Sequence, residues 1–309
     1  MKKIILLTGG SGMVGSNIIN HSFSQNYKIL SPTSSDLNLL NYKDIENYIA
    51  LNKPEIIIHG AGIVGGIEAN INYPVKFLVE NMQMGLNILM ASKTQNIKNF
   101  INLGSSSMYP KNAKNPLSED SIMKGEFEPT NEGYALAKTT ITKLCEYITR
   151  EDKSFLYKTV IPCNLYGKFD NFNYSNSHMI PGVIRKIHDA KNNNLEFVNI
   201  WGDGLAKREF MYAADLADFI YYAIVNFSKM PQNINVGMGF DYSINEYYKI
   251  IADVINYQGK FNYDLTKPIG MKAKLIDNKK LNKFGWKHET SLVLGIKNTY
   301  DYFLNEVLS

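Results

Sequence analysis

A tyrosine and a lysine four positions apart are the first residues in this sequence that could do chemistry. Tyr134 and Lys138 lie in a helical pattern, so their spacing places both side chains on one face of the helix. We expect the Lys138 ammonium to lower the pKa of the Tyr134 phenol from about 10, so that Tyr134 can act as an acid near neutral pH. By itself, such a pair is more often an incidental feature of a surface helix.

A run of serines gives these two residues a context. Ser105 to Ser107 follow a predicted strand that ends at Leu103. Ligands bind at the carboxyl ends of strands in an α/β sheet, although serines at such a point often only form a turn. Ser105 together with Tyr134 and Lys138 makes a set suited to hydride transfer at a carbonyl or carbinol, in which Ser105 hydrogen-bonds the reacting oxygen.

A glycine-rich turn predicts the cofactor of that transfer. Gly9, Gly12 and Gly15 stand at i, i+3 and i+6, after a predicted strand and at the start of a predicted helix. This context favours a dinucleotide-binding loop. Glycines allow a tight turn and let the backbone approach a pyrophosphate at the positive end of the helix.

The end of the second predicted strand indicates which nicotinamide cofactor binds. NAD-binding domains commonly carry Asp or Glu there to hold the ribose 2′-hydroxyl, whereas this strand runs into the neutral, hydroxyl-rich segment Ser31 to Ser35. Asp36 lies past the strand end and could equally be a turn residue. Because the strand end itself carries no carboxylate, we expect the cofactor to be NADPH.

The elements that must position these residues alternate between short strands and longer helices. The predicted strands of the first half are Lys3 to Thr8, Tyr27 to Leu30, Glu55 to His59, Asn99 to Leu103 and Tyr157 to Ile161, and the predicted helices are Gly12 to Phe23, Tyr42 to Leu51, Tyr73 to Gln95 and Tyr134 to Arg150. Apolar strands separated by helices predict an α/β fold with a doubly wound parallel sheet of the Rossmann type.

The second half is less regular and predicts a smaller lobe. We expect residues 1–165 and about 207–237 to form the cofactor-binding domain, with a helix around Asp215 to Asn226 and a strand at Ile234 to Val236. Residues of about 166–206 and 238–309 are expected to form a mixed α/β lobe that holds the substrate, with a helix near Ile180 to Ala190.

Composition and charge exclude several classes of function. The chain has 309 residues, of which 45% are apolar, and 33 Lys and Arg against 29 Asp and Glu give a formal charge of +4. This small excess, spread along the chain, is not that of a nucleic-acid-binding or membrane-surface protein. Cys145 and Cys163 are too few for a disulfide framework or a zinc site. We therefore expect a cytoplasmic protein without a metal, nucleic-acid or membrane partner.

Several further motifs resemble one enzyme family. They are Gly12-Met13-Val14-Gly15, Asp36-Leu37-Asn38-Leu39-Leu40, Val64-Gly65-Gly66-Ile67, Glu128-Pro129-Thr130-Asn131-Glu132, Asn164-Leu165-Tyr166-Gly167, Asp170-Asn171-Phe172, Ser175-Asn176-Ser177-His178 and Arg208-Glu209-Phe210. Over nearly its whole length the chain resembles the extended short-chain dehydrogenase/reductases, and among them the GDP-L-fucose synthase family. The resemblance implies epimerisation of GDP-4-keto-6-deoxy-mannose at C3 and C5, reduction at C4 with NADPH, and a homodimer formed through the helices at 73–95 and 134–150.

The resemblance also assigns residues to the two ligands. It implies that Ser105, Tyr134 and Lys138 form the reductive triad. It also implies that His178 is the acid of epimerisation. The cofactor set is Gly9, Gly12, Met13, Val14, Ser34, Asn38, Leu39, Ala61, Gly62, Lys138, Pro162, Asn164, Leu165 and His178. The GDP-sugar set is Ser106, Ser107, Asn164, Lys186, Trp201, Arg208 and Asp277. Cations suit a diphosphate and an indole suits a base or sugar, although without the resemblance a structural role would be the simpler interpretation of Arg208, Trp201 and His178.

Ser107 departs from the family pattern. The family has a cysteine there, and that cysteine is the base that removes the protons at C3 and C5. A hydroxyl is a much weaker acid than a thiol and needs an adjacent base to act, so we expect epimerisation to be lost and reduction to remain. Cys163 precedes Asn164 at the active-site end of a strand, but strand alternation turns its side chain away, and core packing is its expected role, as it is for Cys145.

Three hypotheses follow for the function. The first is a C4-reductase of a GDP-linked 4-keto sugar, either a 6-deoxyhexose or a heptose. The second is a complete GDP-L-fucose synthase in which Ser107 or Cys163 supports proton removal. The third is a cofactor-binding scaffold without turnover, against which the intact triad argues. The segment Lys267 to Lys274 differs from the family pattern and is compatible with either sugar.

Overall fold

The computed structural model describes residues 2–174, 177–267 and 271–308. Its strands are β1 (Ile4–Thr8), β2 (Lys28–Leu30), β3 (Ile56–His59), β4 (Asn99–Leu103), β5 (Leu156–Pro162), β6 (Asn164–Tyr166), β7 (Phe197–Trp201), β8 (Lys207–Arg208), β9 (Phe210–Tyr212), β10 (Asn233–Val236), β11 (Tyr242–Ser243), β12 (Lys260–Asp264) and β13 (Ala273–Lys274). Its α-helices are α1 (Met13–Asn20), α2 (Tyr42–Asn52), α3 (Ile67–Asn72), α4 (Pro74–Thr94), α5 (Glu132–Glu151), α6 (Met179–Asn192), α7 (Ala213–Val225), α8 (Ile244–Ile255), α9 (Lys279–Phe284) and α10 (Leu292–Tyr302).

The central sheet has six parallel strands in the order β10-β5-β4-β3-β1-β2. The chain runs from β1 outward to β2 and then back past β1 to β3, so the direction of winding reverses between β1 and β3. Such a reversal opens a crevice at the carboxyl ends of the two strands. The expected α/β fold with a doubly wound parallel sheet is confirmed.

Each central strand buries both of its faces. In β1, Ile5 and Leu7 belong to one hydrophobic cluster, and Leu6 belongs to another on the opposite face of the sheet. Helices α1 and α7 pack together on the first face, and α2, α4 and α5 pack together on the second. Two buried faces explain why β1 and β3 are nearly continuous apolar runs.

A third hydrophobic cluster lies among α6, α8 and α10 and the short strands β7 and β9. Three small sheets accompany it, with the strand orders β11-β8-β13, β12-β7 and β6-β9. Leu281 and Trp286, in the region assigned to the substrate lobe, pack instead in the cluster of the central sheet. The division into two lobes at the residues given above stays a prediction.

Most helix boundaries differ from the expected ones by one to three residues, and two of the differences have a local cause. Helix α1 ends at Asn20, before Phe23, because His21 is extended and its ring accepts a hydrogen bond from the Phe23 nitrogen, which opens a separate 3-10 turn over Ser22–Asn26. Helix α4 begins at Pro74, one residue later than expected, because proline suits the first helical position.

Within the described residues, no helix is both long and apolar enough to cross a membrane. In the same part of the chain, no three His, Cys, Asp or Glu side chains are grouped as a metal ion would require. Cys145 and Cys163 are free thiols, and each is buried in a hydrophobic cluster. Their expected role in core packing is confirmed.

Gly85 allows α4 and α5 to pack closely. A Cβ atom at this position would lie 2.5 Å from Cγ1 of Ile141 on α5. We predict that Gly85→Ala lowers the free energy of unfolding by about 1–3 kcal/mol through overpacking, in spite of the higher helix propensity of alanine. Urea denaturation followed by circular dichroism measures the change.

Gly66→Ala is the matched control for this substitution, because a Cβ atom on Gly66 meets no other atom within 4 Å. In combination with Ile141→Ala, which removes the clashing atoms, Gly85→Ala should cost less than it does alone. An equal cost in both backgrounds would contradict the overpacking.

Candidate active site

The predicted cofactor loop lies where the carboxyl ends of β1 and β3 meet. Gly9 follows β1 with a φ of +77°, and a Cβ atom on it would lie 2.6 Å from the backbone nitrogen of Ala61. Only glycine fits both this conformation and this space. Gly12 caps α1 in an extended conformation and has no side chain to cover the helix end, so the N–H groups of Met13 and Val14 point out of it. A helix end of this kind suits a pyrophosphate.

The turn after β2 engages the side chain of Asp36. The Asp36 carboxylate accepts hydrogen bonds from the backbone nitrogen and the hydroxyl of Thr33, at 3.0 and 2.7 Å. These bonds hold the pKa of Asp36 below its ordinary value. Asp36 is therefore a turn residue, which was one of the two interpretations left open. Ser34 is exposed within the same turn.

The predicted adenine side lies between this turn and α4. Leu39 is buried, and its carbonyl accepts a hydrogen bond from the Asn87 side chain on α4 at 3.0 Å. Asn38 is exposed, and its side-chain oxygen accepts from the Leu40 nitrogen at 3.0 Å. These contacts fix the course of the segment, while its binding to adenine stays a prediction.

An asparagine on α4 holds the loop that follows β3. The buried Asn81 side chain donates to the carbonyls of Ile63 and Phe77, at 3.1 and 2.7 Å, and accepts from the Ile63 nitrogen at 2.7 Å. A Cβ atom on Gly62 would lie 3.0 Å from Asn81 Oδ1 and 3.6 Å from Lys138 Nζ, so the loop, α4 and Lys138 meet here. Sequence reasoning named Gly62 and missed Asn81, whose only signal is an amide on the buried face of a helix.

The three residues of the predicted reductive set come together beside this loop. The Ser105 hydroxyl and the Tyr134 phenol are hydrogen-bonded to each other. Ser105 Oγ also accepts from the nitrogen and the hydroxyl of Ser107, at 3.2 and 2.9 Å. Lys138 Nζ lies 5.8 Å from the centre of the Tyr134 ring and donates to the Leu103 carbonyl at 2.9 Å. A chain of hydroxyls therefore runs from Ser107 through Ser105 to Tyr134.

Burial, not Lys138, sets the pKa of the phenol. Removal from water raises the pKa of Tyr134 to about 12, and the hydrogen bond with Ser105 opposes that rise. The expectation that Lys138 lowers this pKa is wrong, because the ammonium donates to the Leu103 carbonyl instead of the phenol. Burial also lowers the pKa of Lys138 to about 8. At neutral pH Tyr134 keeps its proton and Lys138 keeps its charge, which suits an acid beside a cation.

Strands β5 and β6 carry the predicted nicotinamide side. Pro162 ends β5, Asn164 and Leu165 open β6, and the Asn164 amide donates to the Glu209 carbonyl at 3.0 Å. Between the two strands, burial raises the pKa of the Cys163 thiol well above its ordinary value. A thiol that keeps its proton cannot act as a base.

His178 precedes α6, and its ring faces a buried carboxylate. Nδ1 lies 3.6 Å from Oδ1 of Asp170, whose side chain is 3% exposed. The hydrogen bond with Asp170 raises the pKa of His178, and burial opposes this effect. His178 is therefore biased toward the imidazolium, which is the form that an acid needs. Ser175 and Asn176, from the same predicted motif, lie outside the described residues.

Two ammonium groups flank the indole of Trp201, which is 52% exposed. Lys186 Nζ lies 5.1 Å and Lys267 Nζ 5.2 Å from the ring centre. Burial and the charge of Lys267 lower the pKa of Lys186. Sequence reasoning missed Lys267 because the pairing of Asp264 with Trp201, between β12 and β7, brings it there. Residues 268–270 of the departing segment lie outside the described residues.

A second pair of cations lies on the three-stranded sheet. Lys274 of β13 is the direct neighbour of Arg208 of β8. Burial lowers the pKa of both side chains, and with the charge of Arg208 it takes the pKa of Lys274 to about 8. The negative charge of Glu128 opposes this effect by raising the pKa of both side chains. Sequence reasoning missed Lys274 because strand register, not spacing along the chain, places it beside Arg208.

Two predicted substrate residues have other contacts. Asp277 accepts a hydrogen bond from the Lys279 nitrogen at 2.9 Å, and its carboxylate lies 3.2 Å from the ammonium of the same lysine. These contacts place Asp277 at the start of α9. Ser106 is buried in the 3-10 turn Ser106–Met108. The substrate roles of both residues stay predictions.

Comparisons relate the chain to known proteins. A model described as the NAD dependent epimerase/dehydratase family matches residues 5–237. The chain is 61% identical to a GDP-L-colitose synthase of Yersinia pseudotuberculosis over 98% of each chain, and 48% identical to a GDP-L-fucose synthase of Azorhizobium caulinodans over 99% of this chain and 98% of that one. A solved GDP-mannoheptose C4 reductase of Campylobacter jejuni with NADP bound has a similar fold, with a TM-score of 0.90, 28% identity and coverage of 98% of this chain and 99% of that one.

We predict that Asp170→Asn lowers the pKa of His178, because an amide does not stabilise the imidazolium as a carboxylate does. An NMR titration of the imidazole protons, assigned with His178→Gln, measures this pKa. His188 on α6 is an internal control, since its pKa depends on burial and on charges of α6 itself. An unchanged pKa of His178 would contradict the pairing with Asp170.

Proposed function

Because the chain belongs to the NAD dependent epimerase/dehydratase family, we propose that it is an NADPH-dependent C4-reductase of a GDP-linked 4-keto sugar. The reaction turns the C4 carbonyl into a hydroxyl. The observation that carries the proposal is the set of Ser105, Tyr134 and Lys138 beside the dinucleotide loop. The colitose synthase, the fucose synthase and the heptose reductase named above support a GDP-sugar as the substrate.

The residues around Gly9 fit a dinucleotide, and the turn after β2 fits its 2′-phosphorylated form. Any side chain on Gly9 would fill the space against Ala61. The Asp36 carboxylate is bonded to Thr33, and the segment Ser31 to Ser35 is neutral. When bound, NADPH supplies the hydride that C4 receives. The NADP in the Campylobacter reductase supports the same choice.

Tyr134 is the acid of the proposed reaction. Hydride addition leaves an alkoxide at the C4 oxygen, and the phenol, which holds its proton at neutral pH, donates to that oxygen. The Ser105 hydroxyl, held by Ser107, hydrogen-bonds the same oxygen and stabilises its developing charge. Lys138 keeps its charge at neutral pH, with its Nζ 5.8 Å from the centre of the Tyr134 ring. A solvent proton restores the phenol, so that the carbonyl has gained one hydride and one proton.

The two cation pairs support recognition of the GDP end. Lys186 and Lys267 beside the exposed indole of Trp201 suit a nucleotide, whose base can stack on the indole and whose phosphates the two ammonium groups can reach. Arg208 and Lys274, which are neighbours in one sheet, suit the two charges of a diphosphate.

The hydrogen bonding of Ser107 supports the loss of epimerisation. Its hydroxyl donates to Ser105 at 2.9 Å, so it is part of the reductive set. A hydroxyl without an adjacent base is a poor nucleophile and a poor base at neutral pH. The buried Cys163 thiol keeps its proton and does not replace it. We therefore propose that this chain does not remove protons at C3 and C5.

A bifunctional 3,5-epimerase and 4-reductase is the second candidate, and His178 favours it. Asp170 biases His178 toward the imidazolium, which reduction does not require because Tyr134 already supplies a proton. An acid retained here suits reprotonation of a sugar carbon. The names of two relatives, GDP-L-colitose synthase and GDP-L-fucose synthase, also describe L-sugars.

We further propose a homodimer in the cytosol. Helices α4 and α5 pack side by side, and Val75, Val79 and Leu136 on them are exposed apolar side chains that a second copy would cover. The free thiols of Cys145 and Cys163 suit a reducing compartment.

The protein should oxidise NADPH in the presence of a GDP-4-keto sugar, and Tyr134→Phe should lower kcat by about 10²- to 10⁴-fold with little change in KM. The substrates are GDP-4-keto-6-deoxy-mannose, its C3/C5-epimerised form, a 3-deoxy counterpart and a GDP-4-keto-heptose. Loss of NADPH absorbance gives the rates.

Tyr147→Phe is the matched control for Tyr134→Phe, because Tyr147 lies on the same helix with an exposed ring over Arg150. A wild-type protein inactive toward every keto sugar would overturn the proposed reductase. A fully active Tyr134→Phe protein would overturn the role of the phenol alone.

Solvent exchange separates the reductase from the bifunctional enzyme. In D2O with GDP-4-keto-6-deoxy-mannose and without NADPH, we predict no deuterium at C3 or C5 by NMR, whereas Ser107→Cys gains exchange because a thiolate can remove the protons. Ser107→Ala is the control that loses the bond to Ser105 without gaining a base. Exchange by the unmodified protein would contradict this prediction and support the bifunctional enzyme.

A further inference from the structure

Glu209 is a fully buried carboxylate that bonds to backbone nitrogens. Its side chain has no exposed surface. Oε1 accepts a hydrogen bond from the Gly239 nitrogen at 2.7 Å, Oε2 accepts from the Ile276 nitrogen at 3.0 Å, and the Met238 nitrogen is a third donor. A Cβ atom on Gly237 would lie 2.5 Å from Oε1, so the chain wraps closely around the carboxylate.

These donors belong to the two segments that flank Arg208. Strand β11 begins shortly after Gly239, and Tyr242 of β11 pairs with Arg208. Strand β13 ends shortly before Ile276, and Lys274 of β13 pairs with Arg208 from the other side. Glu209, which follows Arg208 in the sequence, therefore bonds to the two segments whose strands pair with Arg208.

The pairing of β8, β11 and β13 needs further bonds to stabilise it. Each of β8, β11 and β13 is two residues long, so the ladder between them has few hydrogen bonds. Arg208 and Lys274 are also like charges side by side, and their repulsion opposes the pairing of β8 with β13. The backbone bonds to Glu209 hold the segments together against this repulsion.

We propose that Glu209 is a positioning residue that holds Arg208 and Lys274 side by side to bind the diphosphate of the GDP-sugar. The inference rests on the proposed function, since the diphosphate belongs to that substrate. Glu209 itself is enclosed by protein and does not touch the ligand. Its backbone carbonyl accepts from Asn164 on the cofactor side, and no side-chain substitution removes that bond.

The direction in which Glu209→Gln changes the affinity for a diphosphate separates a positioning role of Glu209 from a purely electrostatic one. Removal of a negative charge near two cations strengthens their attraction for an anion. Glu209→Gln keeps the shape of the side chain but turns one acceptor into an N–H donor that faces a backbone N–H group. We expect weaker binding of a diphosphate, which is the opposite of the Coulombic effect.

The wild-type protein offers a second, independent test through pH. Burial, helped by Asp241, raises the pKa of Glu209 to about 7, and the backbone hydrogen bonds oppose this rise. The other titratable groups that face the carboxylate are Cys163 and Tyr247. Below pH 7 the added proton takes the place of a backbone donor, so diphosphate binding should weaken as the pH falls.

The free energy of unfolding should depend on the charge of Glu209 in a different way from the affinity for a diphosphate. Between its ordinary pKa and about 7, Glu209 binds more protons in the folded than in the unfolded state, so its contribution to the free energy of unfolding falls as the pH rises. Removal of the charge by Glu209→Gln is therefore not expected to destabilise the protein at pH 7.5, and only the changed hydrogen bond costs free energy of unfolding. A loss of binding without a loss of stability separates a positioning role from a structural one.

The experiment is calorimetric titration with GDP-mannose, whose diphosphate has no ionisation near neutral pH. At pH 7.5, Glu209→Gln should raise the Kd for GDP-mannose about tenfold or more and leave the Kd for NADPH within about twofold. The wild-type Kd for GDP-mannose should be several-fold higher at pH 6 than at pH 7.5. In Glu209→Gln this rise should be absent, and only the smaller, opposite effect of the charge that Lys274 gains, with its pKa of about 8, should remain. Thermal unfolding of both proteins checks the fold.

Asp215→Asn is the matched control for Glu209→Gln. Asp215 is a buried carboxylate held by the nitrogen and hydroxyl of Thr290, at 3.2 and 2.8 Å, and the substitution should leave the Kd for GDP-mannose unchanged. Equal binding by Glu209→Gln and wild type, or a wild-type Kd that is flat between pH 6 and 7.5, would overturn the inference. A wild-type protein that does not bind GDP-mannose at all would instead overturn the proposed function.

Discussion

The parallel register of β1, β3, β4 and β5 is the constraint on which the rest of the site depends. Strands that run in one direction open their carboxyl ends at one edge of the sheet. The turn at Gly9, the loop held by Asn81, the serines from Ser105 and the segment from Asn164 all follow these strands. Residues far apart in sequence therefore meet in one crevice without any element bending toward another.

The sequence was sufficient for features that depend on local period. Strands β1 and β3 bury both faces, so each is a nearly continuous apolar run. Tyr134 and Lys138 could be placed together because helix geometry fixes their mutual position. The position of Ser105 followed from the rule for strand ends.

The sequence was insufficient where pairing between distant segments decides the outcome. Lys274 reaches Arg208 through a register between strands of two residues, and Lys267 reaches Trp201 through the pairing of β12 with β7. No hydrophobic period marks strands so short. The predicted lowering of the Tyr134 pKa was wrong for a related reason. The shift depends on burial by residues that the local pattern does not specify. Asn81 was missed because its three hydrogen bonds exist only after the loop has met α4.

The net positive charge of this protein is small, but some of its cations are grouped in pairs. The formal excess is only +4, yet two pairs of cations are brought together, Lys186 with Lys267 and Arg208 with Lys274. Partial burial of these groups costs free energy, as the lowered pKa values of Lys186 and Lys274 indicate. The buried Glu209 adds a further cost. If the proposed sugar nucleotide binds here, its diphosphate neutralises the cations and offsets these costs.

The three-stranded sheet also gives the molecule an order of assembly. It joins residues 207–208, 242–243 and 273–274, so its loops are long and its gain in hydrogen bonds is small, and a structure of this kind closes late in folding. A chain that leaves the ribosome N-terminus first has completed the glycine turn and the tyrosine helix well before Lys274 emerges. Under the proposed function, the nascent chain can thus bind its nicotinamide cofactor before it can bind a sugar nucleotide.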